Sequence, residues 1–248
     1  MSPKSKIQSP KLPFVLVNMA MTADGKIATA NRRVHSFSSK RDLEHLYELR
    51  ATADAVMCGA RTVEVSRTIL GTGGEKFREL RLKRGLAEYN LRIIVSGGGS
   101  INPRAAIFKK HFSSVIILTT DRASKANLRR LRTVADEVKI CGEREINFGA
   151  ALGWLREKWG VKRLVCEGGG ELNDALFRAD LVDELHLTIC PKIFGGDSAP
   201  TIADGSGFRR LAEAAPLQIE SFKRCGSETF AVFQRAGRRQ MQPCYSQG

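Results

Sequence analysis

The sequence predicts an α/β protein with a mainly parallel sheet, helices on its faces and a C-terminal antiparallel hairpin. Two observations predict it. Short aliphatic runs alternate with amphipathic stretches along most of the chain, the pattern of strand–helix–strand crossovers. The final apolar stretch, "LQIESFKRCGSETFAVFQRA", instead reads as two strands joined by a tight turn at Cys225–Ser227.

The elements follow in order. Residues 1–13 are polar and rich in Pro, Ser and Lys, and are expected to be a frayed leader. "FVLVNMAM" (Phe14–Met21) is a buried strand ended by the turn "TADGK". "SSKRDLEHLYELRATA" is a helix in which Ser39 and Asp42 form a capping box, with Leu43, Leu46 and Tyr47 as the expected apolar face. "ADAVMCGA" is the next strand. From Thr62 to Asn90 the chain is Gly-rich and basic and reads as loop plus a short helix. "LRIIVS", "SVIILTT" and "EVKIC" are strands, with a basic helix between the last two. "NFGAALGWLREKWG" is a helix with Phe148, Leu152, Leu155 and Trp159 on one side and Gly160 as its stop. "VKRLVCEGGG" is a strand entering three glycines, followed by the short helix "ELNDALFRA" and the strand "DELHLTICPKI". The expectation is one domain over residues 14–235, with 1–13 and 236–248 as flexible tails.

Composition narrows the class. Hydrophobic residues at 42% and charged residues at 27% of a 248-residue chain suit a soluble globular protein with a sizeable core. No apolar run reaches the ~18 residues that span a membrane, and no signal-peptide pattern opens the chain. The six cysteines include no CxxC pair and several sit in strand-like runs. They read as buried free thiols of a reducing cytoplasm, not as disulfides or zinc ligands. The four histidines make no metal set. A formal charge of +14 could serve nucleic acid, but the basic residues are spread out and aromatics are only 7%, so base-stacking platforms are scarce. Most of this charge reads as a solvated face, and some of it suits phosphorylated ligands.

The stretch "CEGGGELNDALF" (Cys166–Phe177) carries the chemistry. Three glycines in a row cost backbone entropy and contribute no packing. They make either a tight strand-to-helix turn or a helix N-terminus open to an anion. Ligands of open α/β sheets bind beyond the carboxyl ends of the strands, which is where this motif falls. The spacing is not GxGxxG, so it points to an anion without specifying a dinucleotide.

Three stretches together resemble the riboflavin-pathway pyrimidine reductases, both the stand-alone archaeal-type enzymes and the reductase half of bacterial deaminase–reductases. They are "NMAMTADGKIAT", "LRATADAVMCGARTV" and "EGGGELNDALFRADLVDELHLTICPKIFGG", the last continued by "APTIADGSGF". The resemblance runs from about Phe14 to Gln234. It implies a dihydrofolate-reductase-like fold, a homodimer, and NADPH-dependent reduction of a phosphoribosylamino-pyrimidine to its ribityl form. It implies that Gly168, Gly169, Gly170, Glu171 and Leu172 cradle the NADPH pyrophosphate, and that Met21, Thr62, Ser66, Ser96 and Gly97 lie on the cofactor side. Glu167 and Asn18 correspond to catalytic positions, and Ser38, Arg50 and Glu167 to substrate contacts. Arg122, past the "VIILTT" strand, is the candidate partner of the 2′-phosphate.

Several of these residues have a structural alternative. Arg50 could serve the carbonyls at a helix end; Thr62 could be a helix N-cap; Asp24 and Gly25 suit a turn, and Lys26 is either a turn residue or a phosphate contact. The family's Leu-x-Asp-Asp-Pro segment is here "VEVSRTIL", with Ser66 and Arg67 in place of the acidic pair, and its Val-Asp-Ser strand end is here "IVSGGG". These departures leave a paralogous reductase of another pyrimidine or pteridine-like heterocycle as the alternative. No H-x-E…P-C-x-x-C motif of a zinc deaminase is present.

Overall fold

The computed structural model describes residues 11–32 and 36–237, so most of both expected tails lies outside the described residues. Leu12 already packs on the core and Pro13 is buried, immediately before the first strand. Nine strands form one sheet: β1 (Phe14–Thr22), β2 (Ala55–Gly59), β3 (Leu91–Val95), β4 (Val115–Thr119), β5 (Glu137–Ile140), β6 (Arg163–Cys166), β7 (Glu184–Cys190), β8 (Leu217–Cys225) and β9 (Glu228–Arg235). Their spatial order is β5-β4-β3-β2-β6-β1-β7-β9-β8. Every pairing from β5 to β7 is parallel, and β9 and β8 then close the sheet antiparallel. This is the mixed α/β sheet with a terminal hairpin that the sequence predicts.

Among the described residues six α-helices cover it: α1 (Lys40–Arg50), α2 (Ala60–Ser66), α3 (Glu75–Lys83), α4 (Lys125–Leu131), α5 (Phe148–Trp159) and α6 (Gly170–Arg178). Alternation along β1 sends Val15, Val17 and Met19 to one face, against Leu152 and Leu155 of α5 and Leu172 and Leu176 of α6. Leu16 points to the other face, against Leu49 of α1. Val63 of α2 and Leu131 of α4 pack with Val56, Ile94 and Ile117 in a third cluster. Gly160 ends α5 in the left-handed region (φ 68°), as its position in the sequence predicts.

Three expectations need correction. The Gly-rich stretch 62–90 holds two helices, α2 and α3. The glycines there punctuate helices instead of preventing them, Gly74 serving as the N-cap of α3. The buried side of α1 is Asp42, Leu49 and Arg50; Leu43 is 48% exposed, and Leu46 and Tyr47 are half-buried. The reason is that α1 covers a partly polar patch of sheet, where His45 Nε2 lies 3.0 Å from His186 Nδ1 of β7. Only half of the capping box forms. Ser39 Oγ accepts the Asp42 amide at 3.2 Å, but the Ser39 amide donates to Glu228 of β9, not to Asp42.

Candidate active site

β6 ends at Cys166, and the backbone continues its bonding to β2 for two residues, the Glu167 amide donating to the Met57 carbonyl and the Gly168 carbonyl accepting the Gly59 amide, both at 2.8 Å. The three glycines that follow turn the chain into α6, through a cis Gly168–Gly169 peptide. The three glycines differ in what surrounds them. Gly168 has φ +71°, and a Cβ there would lie 2.7 Å from Met19 Sδ. A Cβ on Gly170 would lie 2.6 Å from the Thr201 carbonyl and 2.8 Å from Asp204 Oδ2, so this glycine admits the protein's own 200–206 segment. A Cβ on Gly169 would meet only Thr62 Oγ1, at 3.6 Å, and otherwise open space. Gly169 is also the N-cap of α6, with no side chain satisfying the first-turn amides.

That open space is part of a groove of about 580 Å³. Thr62, Ser96, Gly97, Gly169, Gly170, Glu171 and Leu172 all line it, so seven residues scattered over three strand ends converge on one surface. Ser96 Oγ is fixed by the Ser100 amide (3.2 Å), and the Gly97 carbonyl by Thr119 and Thr120 hydroxyls (3.1 and 2.8 Å). Thr62 lies inside α2, whose N-cap is Gly59, so it is not a cap. Arg61, Arg32 and Arg178 also line the groove. Arg61 escaped the sequence reading although it stands beside Thr62 in "GARTV"; it pairs with Glu171 at 3.3 Å on the surface. Arg122 is exposed after β4 and does not line the groove.

The remaining site residues lie outside this groove. Arg50 and Glu167 form a bidentate ion pair, Nε–Oε1 and Nη2–Oε2 both 2.6 Å, with a third bond of 2.5 Å from Arg50 Nη1 to the Gly71 carbonyl. Arg50 is 5% exposed. Burial alone would lower its pKa, but the charge and hydrogen bonds of Glu167 outweigh burial and raise it. Arg50 therefore serves a helix-distant carboxylate rather than its own helix end. Asn18 of β1 is on the same sheet face and also buried, and its Oδ1 has no hydrogen-bond partner. An orphaned buried acceptor marks a place where a donor is expected. Ser38 is half-buried just before α1, and Met21 packs partly on the core. Ser66 is occupied locally, its hydroxyl donating to the Thr62 carbonyl at 2.6 Å. Lys26 donates to the Ala199 carbonyl (3.1 Å) and Asp24 accepts the Phe194 and Gly195 amides, so both hold the turn after β1.

The two thiols beside the Arg50–Glu167 pair, Cys58 and Cys166, are poor nucleophiles. All five described cysteines are free. Burial, then the charge of Glu167, pushes the Cys58 thiol well above its ordinary pKa, and burial pushes Cys166 up to about 12, so both stay protonated. Among the described residues no group of His, Cys, Asp and Glu could hold a metal ion.

Residues 13–231 match the family described as the RibD C-terminal domain. The chain belongs to this family. A 2,5-diamino-6-ribosylamino-4(3H)-pyrimidinone 5′-phosphate reductase of Archaeoglobus fulgidus is 34% identical over 226 residues, covering 91% of this RibD-type domain and 99% of the relative. A protein of the same name from Methanothermobacter thermautotrophicus is 31% identical, with 89% and 97% covered. Among solved structures, a pyrimidine reductase-like protein of Corynebacterium diphtheriae superposes with a TM-score of 0.77 at 20% identity, over 90% of this chain and 92% of that one. Acinetobacter baumannii RibD gives 0.70 at 16% identity, over 90% of this chain but 58% of its own, so the present chain spans little more than half of that longer protein. The shared architecture is the dihydrofolate-reductase-like fold of RibD-type reductases.

Proposed function

We propose that the protein reduces 2,5-diamino-6-ribosylamino-4(3H)-pyrimidinone 5′-phosphate to its ribitylamino form, with NADPH as hydride source, in riboflavin biosynthesis. The observation that carries this reading is the 34% identity to a reductase of that name across 99% of its length. The groove fits a nicotinamide dinucleotide. Its floor is an uncapped helix N-terminus beside Gly169, the one glycine of the three whose missing side chain leaves room for a ligand. Bound there, NADPH supplies the hydride.

The chain's own residues bind and orient. The first-turn amides of α6 hold the pyrophosphate. Glu167, clamped by Arg50, keeps lone pairs for the N–H and O–H groups of the substrate, and an ionised carboxylate accepts but does not donate. Asn18 Oδ1 takes a further substrate donor. Because Arg50 is buried against Glu167, the substrate's phosphate falls to exposed cations; Arg67, in the left-handed region at the end of α2, is one. The proton that the product nitrogen needs comes from solvent or substrate in this scheme.

Turnover of the diamino compound, alongside its deaminated analogue 5-amino-6-(5-phosphoribosylamino)uracil, tests the reading. Reduction of neither compound, with no rescue of a riboflavin auxotroph, would sink it. Exclusive turnover of a different heterocycle would favour the paralogue that the Ser66–Arg67 departure allows.

Two cofactor predictions arise here. Gly169→Val should fold and weaken NADPH binding by about tenfold or more, since its side chain enters the groove, whereas Gly170→Val should lower the melting temperature because backbone at Thr201 is in the way. Equal NADPH affinity in a folded Gly169→Val variant would reduce the glycines to a turn. NADPH should be preferred over NADH, with Arg61 as the 2′-phosphate partner instead of Arg122. Arg61→Ala should cut the NADPH/NADH efficiency ratio by about tenfold, the worth of one charge-assisted contact, and Arg122→Ala should leave it unchanged. The reverse outcome would restore Arg122.

A homodimer in the cytoplasm completes the reading. β8 is an edge strand on which Ile219 and Phe222 are 67% and 63% exposed, a surface that a second copy could cover. Free buried thiols suit a reducing compartment. No helix among the described residues is long and apolar enough to cross a membrane.

A further inference from the structure

Glu228, at the start of β9, is 4% exposed, and its hydrogen-bond partners are neutral donors. The Ser39 amide (2.7 Å), the Ser39 hydroxyl (2.6 Å) and the Cys190 thiol (3.5 Å) all point at it. Burying a carboxylate in this way is costly, and charge-assisted bonds of this length are what offset the cost. A helix N-terminus does not need such a device. Ser39 already caps α1 through the Asp42 amide, and Asp42 stands where a local capping box would supply the second acceptor. A carboxylate 189 residues away has taken that role.

The consequence is that Ser39 is locked. Its hydroxyl proton is committed to Glu228, its lone pair to Asp42, and its amide to Glu228. Two more contacts from the same end of the sheet fix Phe37, two residues earlier. Lys192 Nζ donates to the Phe37 carbonyl at 2.8 Å, and the Phe37 ring meets Phe194 edge-on at 5.1 Å. Lys192 is itself tied to the exit of β1, its carbonyl accepting the Ala23 amide at 2.9 Å. Residues 37–39 are thus held from both sides, with half-buried Ser38 between the two pinned residues. They stand at the carboxyl ends of β1 and β7, on the sheet face that carries the orphaned Asn18 carbonyl and the Arg50–Glu167 pair.

We infer that Glu228, with Lys192, is a positioning residue: the pair clamps residues 37–39 to the terminal hairpin and β7, and so presents Ser38 to the pyrimidine substrate. The inference rests on the proposed reductase reading for its kinetic arm but not for its structural arm.

The test uses the full chain with Glu228→Gln and, as the variant that leaves the core untouched, Lys192→Met. Each should raise KM for the diamino-pyrimidine phosphate by about tenfold, with kcat within about threefold and the NADPH dissociation constant unchanged. Ser38→Ala should raise KM similarly, and combining it with either clamp variant should add little, because all three remove one contact. Amide exchange at residues 37–42 should speed up in both clamp variants, irrespective of turnover. Unchanged exchange, an unchanged KM, or KM effects that multiply with Ser38→Ala would each overturn the clamp. Absence of wild-type turnover would count against the proposed reaction instead, and the exchange result would still decide the clamp.

Discussion

Glu167→Gln is expected to lower turnover by a factor on the order of ten to a thousand, equivalent to ~1.5–4 kcal/mol of transition-state stabilisation, while NADPH affinity stays near wild type. Glu167 sits between the strand end of β6 and the glycine turn, outside the groove assigned to the cofactor, so its loss should fall on the substrate. The same change should be visible in stability. Both carboxylate oxygens hold a guanidinium that is almost wholly buried, and a neutral amide leaves that charge uncompensated. A cost of about 3 kcal/mol is expected, which for a domain of this size lowers the melting temperature by roughly 10 °C. Steady-state kinetics beside a cofactor titration and a thermal melt separate the effects. Near-wild-type turnover, or a loss confined to NADPH binding, would show that Glu167 has been given the wrong role.

Arg81→Met should destabilise the protein by about 4 kcal/mol, and should do so without touching any ligand. Arg81 of α3 is 1% exposed, and its guanidinium serves carbonyls only: Arg50 at 2.8 Å, Ala53 at 2.5 Å and Ala87 at 2.8 Å. Burial lowers its pKa to about 10, with Asp54 opposing, so it remains charged at neutral pH. Removing it orphans carbonyls just where α1 ends and Arg50 begins its reach to Glu167. Arg81→Lys should recover little, because a single ammonium cannot span carbonyls arranged around a planar fork. An unchanged melting temperature in Arg81→Met would mean that water replaces the guanidinium without loss.

What could be read in the sequence depended on whether the cause was local. Strands such as "VIILTT" and the cap at Gly160 announce themselves through neighbours in sequence, and they stand where expected. The strand-to-helix turn was legible as a whole, but its three glycines looked alike. Only the fold reveals that one faces Met19, one faces Thr201 and one faces open groove. Arg50 and Glu167 were each visible as candidates, yet their pairing joins α1 to the end of β6 and depends on a parallel register no local pattern encodes. α1 misled for the same reason: its apolar stripe suggested Leu43 inward, while the sheet beneath offers polar partners to Asp42's side. Glu228 left no signal, because nothing near it in sequence explains a buried carboxylate.

The strand order has a consequence for how the protein comes to be made. β1 precedes the other described strands in the chain, yet it lies between β6 and β7, and pairs with neither β2 nor β3. During synthesis, β2 to β5 can assemble in sequence, each beside the one before it, while β1 waits for the second half of the chain. α1 waits longer still, since the carboxylate that receives Ser39 is on β9, the last of the described strands. Such long loops make closure slow relative to helical proteins of similar length. The nascent chain therefore gains a structured half-sheet early, while the Ser39–Glu228 contact and the pairing of β1 wait until β7 and the β8–β9 hairpin have emerged and folded back.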